Sequence, residues 1–183
     1  MDLTMSTHPQ LQRVTTEYVQ TEDRMRLSGA LADGRTVVLW MTQRLFNYLL
    51  PPLTKWLEDH GVTGQAASAA ASTPADKEML QEFAQKSAQA ALTPQPRVQA
   101  DRPADTWLVE AVDIDSNTRV VRLTFRAADG RAVGVPLEAE SLRQWLAVVH
   151  GHYGRGGWAT TAWPTWMEDA IRPTARPDTA PMH

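Results

Sequence analysis

The feature that most constrains the fold of this chain is a pattern that occurs twice. Arg26-Leu27 leads through Ala32-Asp33-Gly34-Arg35 to Val37, and ninety-six residues later Arg122-Leu123 leads through Ala128-Asp129-Gly130-Arg131 to Val133. The ungapped register runs on to Leu50 and Leu146 and holds eight identities over residues 26 to 53. Unrelated segments of average composition would share about two. The apolar pairs Leu39/Val135, Phe46/Leu142, Leu49/Trp145 and Leu53/Val149 keep the same spacing. A duplicated unit is the expectation, and two unrelated Asp-Gly hairpins, each followed by a helix, are the alternative.

Each copy reads as strand-strand-strand-helix. In the first, Arg13 to Val19 is rich in β-branched and aromatic types and predicts a strand. Arg24 to Leu31 and Thr36 to Met41 flank Asp33-Gly34, which supplies the positive φ of a tight hairpin. Thr42 is placed to cap a helix in which Leu45, Phe46, Leu49, Leu53, Trp56 and Leu57 recur at helical spacing. Pro51-Pro52 predicts a kink in that helix, because neither residue donates a backbone N–H, and Gly61 closes it. In the second copy Thr106 to Ile114, Arg119 to Ala127 and Ala132 to Leu137 predict strands, and Glu138 to His150 a helix with Leu142, Trp145, Leu146 and Val149 inward. The expected fold class is α+β: a duplicated β-β-β-α unit with mainly antiparallel sheet and helices on one face or end.

The expected layout is a disordered N-terminus over 1–11, repeats over 12–61 and 105–152, a linker over 62–104, and a flexible tail over 153–183 carrying Gly, Pro and Trp. Within the linker, Gln65 to Pro74 is almost all Ala and Ser, and Pro94, Pro96 and Pro103 mark an extended connector. Between them Leu80, Phe83, Ala84, Ala88 and Ala91 predict a moderately amphipathic helix over 76–92, lying on the sheet or pairing with its counterpart in a dimer.

A net charge of −3 offers no general field for a polyanion. The chain has no cysteine, which excludes disulfides, thiolate metal sites and a cysteine nucleophile, and suits a cytoplasmic location. No stretch reaches the ~18 apolar residues of a membrane span, so no membrane partner is expected.

Several short motifs hint at chemistry and each has a plainer account. Asp113-Ile114-Asp115-Ser116-Asn117 opens like a calcium loop, but Thr118 stands where glycine is needed and Thr124 where a bidentate glutamate is needed, so a hairpin turn is expected. His150 and His152, with His60 ending the matching helix, offer imidazoles without a third ligand nearby. Gly154-Arg155-Gly156-Gly157 fits neither a phosphate loop nor a dinucleotide fingerprint. Ser28, Ser116 and Ser141 lack the setting of a nucleophile. Neither a metal nor a cofactor is expected, and an enzymatic role has no support.

The strongest functional hint is the tail. Trp158, Trp163, Trp166 and Met167 put large apolar groups in a polar, proline-bearing stretch. They fold back on the sheet or anchor a protein partner or second subunit. The leading expectation is therefore a non-enzymatic protein-interaction or scaffold module, self-associating or binding another protein through that segment. An alternative is a small-molecule-binding protein or enzyme with its site between the repeats, lined by Trp40, Trp107 and His150. A third is weak single-stranded nucleic-acid binding through Arg24, Arg26, Arg35, Arg119, Arg122, Arg126 and Arg131, weakened by the interspersed acids.

Overall fold

The computed structural model describes residues 8–62, 73–100 and 105–172. The first strands are β1 (Leu11–Val19), β2 (Arg24–Leu31) and β3 (Thr36–Met41), followed by helix α1 (Gln43–His60). Helix α2 (Pro74–Ala91) leads to β4 (Asp105–Leu108), β5 (Ala111–Ser116), β6 (Val120–Arg126) and β7 (Ala132–Glu138). Helices α3 (Ala139–Gly156) and α4 (Thr165–Ile171) complete the order. The architecture is α+β, with two sheets rich in antiparallel pairing and four helices among the described residues.

One sheet has the order β1-β2-β3-β4 and the other β5-β6-β7. The run expected as a single strand from Thr106 is split between them. β4 pairs in parallel with β3, and the Val109 N–H still donates to the Trp40 carbonyl at 2.9 Å. At the next residue the Glu110 N–H donates to the Arg126 carbonyl at 2.9 Å, and β5 continues antiparallel to β6. At the other end Gly134 donates its N–H to the Pro9 carbonyl at 2.8 Å, and Gln10 forms a parallel bridge with Gly134. Strand pairing thus runs full circle through both sheets, which covers edges that would otherwise stand open. This corrects the expectation of disorder for residues 9 to 11, which are tied by backbone bonds; residues 1 to 7 lie outside the described residues.

The hairpin loops follow from their residues. Gly34 and Gly130 take φ of 85° and 89°, a region that costs glycine nothing and other L-residues a good deal. Asp33 and Asp129 each accept the backbone N–H two residues on, at 3.0 and 3.1 Å, and hold the arginine side chain there as well. Between β5 and β6 the Asn117 side chain accepts the N–H groups of Arg119 and Val120 at 2.8 and 2.9 Å, so the calcium-like run ends in a turn closed by its own asparagine.

α1 starts with the Thr42 hydroxyl accepting the Leu45 N–H at 3.3 Å and runs without a break across Pro51 and Pro52. The Thr54 hydroxyl donates to the Leu50 carbonyl at 2.9 Å just past the prolines. One apolar core takes Leu27, Leu39, Phe46, Leu53 and Leu57 from the first half and Leu123, Phe125, Leu142, Leu146 and Val149 from the second. Where the halves meet, among Val14, Leu27, Leu123, Phe125, Val135, Leu137 and Trp145, the void is only ≈ 10 Å³, about the least that one water molecule needs.

The flexible tail expected from residue 153 is corrected for residues 153 to 172. α3 continues to Gly156 and stops at Gly157, whose φ of 64° allows a left-handed cap. Gly157 donates to the Gly154 carbonyl at 3.3 Å and Trp158 to the Tyr153 carbonyl at 3.0 Å, a six-to-one and five-to-two pair that turns the chain sharply. The glycines that resembled a phosphate loop thus form a helix exit that returns the chain to the core. Residues 173 to 183 lie outside the described residues.

Candidate functional site

The four residues expected to hold a partner are all spent on the chain's own core: Trp158, Trp163 and Trp166 are nearly fully covered and Met167 fully so. Their seat is an aromatic cluster around Tyr153, itself completely buried. Trp158 and Trp163 meet the Tyr153 ring edge-on at 5.1 and 5.3 Å between centroids, and Phe46 does so at 6.5 Å. Burial pushes the Tyr153 phenol well above its ordinary range, and its hydroxyl donates to Asn47 Oδ1 at 2.8 Å. Trp158 Nε1 and the Tyr18 hydroxyl both donate to Asp23 Oδ1, at 2.9 and 2.7 Å, and these bonds pull the Asp23 carboxyl below its usual value. Trp166 Nε1 donates to Glu58 Oε1 at 3.0 Å. While the segment is seated, none of the four is free to meet another molecule.

The histidines turn to separate partners. His152 Nε2 lies 2.8 Å from the Thr16 carbonyl, His150 meets the Trp163 ring edge-on at 4.9 Å, and His60 stacks on Trp56 at 5.7 Å. Desolvation lowers the pKa of both His150 and His152, opposed at His150 by Glu168, whose Oε1 is 3.8 Å from Nε2. Among the described residues no three His, Asp or Glu side chains converge as metal ligands would.

Of the residues expected to line a site between the repeats, His150 packs against Trp163. Trp107 is buried beneath the Arg131 guanidinium, 4.9 Å from its centroid. Of the arginines considered for nucleic acid, Arg26, Arg35, Arg126 and Arg131 are paired with Glu17, Asp33, Asp113 and Asp129. Neutralised guanidinium groups offer little to a phosphate backbone.

The surface that stands out lies on α2. Its start is specified locally: Thr73 accepts the Asp76 N–H at 3.2 Å, Asp76 accepts the Thr73 N–H at 3.1 Å, and Pro74 opens the helix. Its inward face is polar. Gln81, Gln85 and Ala88 are its buried residues, and the two glutamines serve neighbouring helices. Gln81 Nε2 donates to the Leu57 carbonyl near the end of α1 at 3.3 Å, and its Oε1 receives Arg143 Nη2. Gln85 Nε2 donates to the Arg143 carbonyl at 3.0 Å, and Gln144 Nε2 reaches back to the Ala88 carbonyl at 2.9 Å. Arg143 is 2 % exposed, its guanidinium 5.3 Å from the Trp166 centroid, and burial lowers its pKa to about 10, so it stays charged at neutral pH.

Two large apolar residues of α2 are left outside, while Leu80 and Ala84 are half-buried. Met79 is 67 % exposed and Phe83 70 %. Lys86 and Ala90 lie in the same outward stripe, and Leu92 just past the helix is 47 % exposed. A surface residue of this kind is ordinary singly, but Met79 and Phe83 are one turn apart and contiguous. The expected helix is present, with the face containing Phe83 turned outward. The apolar pattern in the sequence takes in only Leu80, Phe83, Ala84, Ala88 and Ala91 and passes over Gln81 and Gln85, because nothing local shows that Arg143 and helix-end carbonyls claim them.

Two concavities adjoin α2. One, ≈ 670 Å³, opens between the end of α1 and the starts of α2 and α4, with Glu58, Asp59, Glu78 and Lys77 on its walls. The other, ≈ 580 Å³, runs between β1, the extended residues after α2 and the first turns of α3. No helix among the described residues is long and apolar enough to cross a membrane. Comparison with protein-family models, curated proteins and solved structures found no match.

Proposed function

We propose that this protein is a non-catalytic interaction module, made of two copies of one β-β-β-α unit, that docks a protein partner on the outer face of α2. The observation that carries the docking role is the inversion of that helix. An apolar side chain gains ~25 cal/mol per Å² of surface removed from water, yet α2 buries glutamines and exposes Met79 and Phe83. The glutamines are held inward by hydrogen bonds to α1 and α3, so the helix cannot rotate to hide its apolar stripe without stranding Arg143. A fixed, pre-ordered apolar surface is what a partner needs, because little ordering entropy remains to be lost on binding. The cysteine-free sequence suits a cytoplasmic setting.

The duplication has its own support. α1 and α3 both span 18 residues and start ninety-six residues apart. Leu27 faces Leu39 as Leu123 faces Val135, and Gln10 meets Gly134 as Thr106 meets Val38. Trp56 Nε1 donates to the Asn117 carbonyl while His152, at the matching place on α3, engages the Thr16 carbonyl, so each helix end reaches the opposite half. The units differ in their first hairpins, where Met25 pairs with Tyr18 but the matching Val121 pairs with Ser116, two residues further along.

The test is a photo-crosslinking amino acid at position 83 in the full chain, irradiated in the cells that make the protein, with position 22 in the exposed β1–β2 turn as control. A discrete adduct at 83 and none at 22 is the expected result. No adduct at 83, or the same products from both positions, overturns the docking role.

A further inference from the structure

Resting on that reading of α2, we infer that the occupant of its outer face is a second copy of this chain, with the two α2 helices antiparallel. The outward stripe reads Met79, Phe83, Lys86, Ala90 along the helix, a spacing of four, three and four residues that keeps one line on an α-helix. Turned end for end, the same stripe reads Ala90, Lys86, Phe83, Met79. Large therefore meets small, as Met79 lies opposite the partner's Ala90 and the reverse. A cation meets a ring, as Lys86 lies over the partner's Phe83, a pairing that is favourable when water is excluded.

Charge agrees with this register. Glu82 flanks the stripe one residue before Phe83 and, in the single chain, already holds Lys86 one turn along. Both are partly exposed, with side chains at 32 % for Glu82 and 50 % for Lys86. In the antiparallel pair each ammonium is shared between its own Glu82 and the partner's Glu82, and both copies contribute equally, as a two-fold contact requires. A parallel pair would instead set Lys86 against Lys86 and Phe83 against Phe83. The four stripe positions cover about 16 Å of helix at ~1.5 Å per residue, a strip of roughly 200 Å² on a helix about 10–12 Å wide, well short of the ~800 Å² per partner of a standard stable interface. The association is therefore weak and concentration-dependent.

The experiment is sedimentation of the full chain from about 1 to about 300 µM, which spans dissociation constants from micromolar to a few tenths of millimolar. The expected result is a monomer at the low end and a growing fraction at twice the 20.3 kDa chain mass at the high end. Phe83→Glu abolishes the dimer while its thermal midpoint stays that of the parent. Glu82→Lys and Lys86→Glu each weaken self-association at least tenfold, and mixing the two chains restores it, since Lys86 of the first chain then faces Glu82 of the second. Restoration on mixing is not explained by the contact within one helix, which stays broken in both chains. A parent chain that is monomeric throughout, a dimer that survives Phe83→Glu, or no gain on mixing overturns the self-pairing. The crosslink at position 83 separates the two claims: an adduct at a mass other than twice the chain keeps the docking face and removes the second copy, whereas no adduct removes both.

Discussion

The segment from Trp158 to Ile171 and helix α2 carry their apolar residues to opposite fates. The first reads in sequence as a tail whose tryptophans either fold back on the sheet or anchor a partner, and they are buried around Tyr153. The second reads as a modest helix that lies on the sheet or pairs in a dimer, and it leaves Met79 and Phe83 in water. The difference lies in what each segment finds to satisfy its polar groups. Two of the tail's three indoles reach Asp23 and Glu58, so the Trp158 and Trp166 N–H groups are paired on burial, while Trp163 is seated by ring contacts with Tyr153 and His150. In α2 the polar groups are the ones with buried partners, and they turn the helix over. Apolar content therefore predicts burial poorly where a neighbouring element offers unmet hydrogen-bonding groups.

Removing the tail is the strongest way to break this contrast. A chain ending at Gly157 loses Trp158, Trp163, Trp166 and Met167 from the core, at about 2–3 kcal/mol each, which together approach the whole stability of a domain. It is expected to lose its near-ultraviolet circular dichroism, and a truncated chain with the parent's spectrum and thermal midpoint would show that the tail is not part of the core. Trp163→Ala, in a single site of the same cluster, is expected to cost about 3–5 kcal/mol in denaturant unfolding.

A smaller effect probes what holds α2. Gln81→Leu takes the Oε1 acceptor from the buried Arg143 guanidinium, while the Leu57 carbonyl keeps the Gly61 N–H, for a loss of about 1–3 kcal/mol in the same assay. If Gln81→Leu is neutral, the inward glutamines do not fix the helix and its inversion loses its cause.

Acid gives a further, smaller test on the tail side. Both His150 and His152 have pKa values lowered by burial below 6.5, so between that value and the folded pKa the unfolded chain binds more protons. Stability is complete above pH 6.5 and falls as pH drops below it. His150→Gln is expected to flatten part of that decline, read from the thermal midpoint between pH 7 and 5. At the far end of the scale Phe83→Ser, on the exposed face of α2, should change stability by no more than about 0.5 kcal/mol. A loss of several times that would mean Phe83 is packed within its own chain.

Much of the frame was legible. The Asp-Gly turns, the strands around them, the Thr42 cap and the helices of both halves follow from local rules, because φ angles, caps and apolar periodicity are properties of neighbouring residues. Other features were not legible. The split of the run from Asp105 between two sheets depends on β3 and β6 competing for its backbone, and Pro9 and Gln10 are held by Gly134 of β7, far along the chain. Likewise Gly154 to Gly157 form a helix exit because Trp158 has Tyr18 and Tyr153 to land on.

The sequence by itself thus determined most of the elements, since turns, caps and apolar periods are written in patterns a few residues long. The tertiary structure alone decided which apolar groups are spent inside and which are left exposed. That choice depends on where Arg143, Asp23, Glu58 and the helix-end carbonyls fall in space, and hydrogen-bond partners 24 to 135 residues apart leave no local trace.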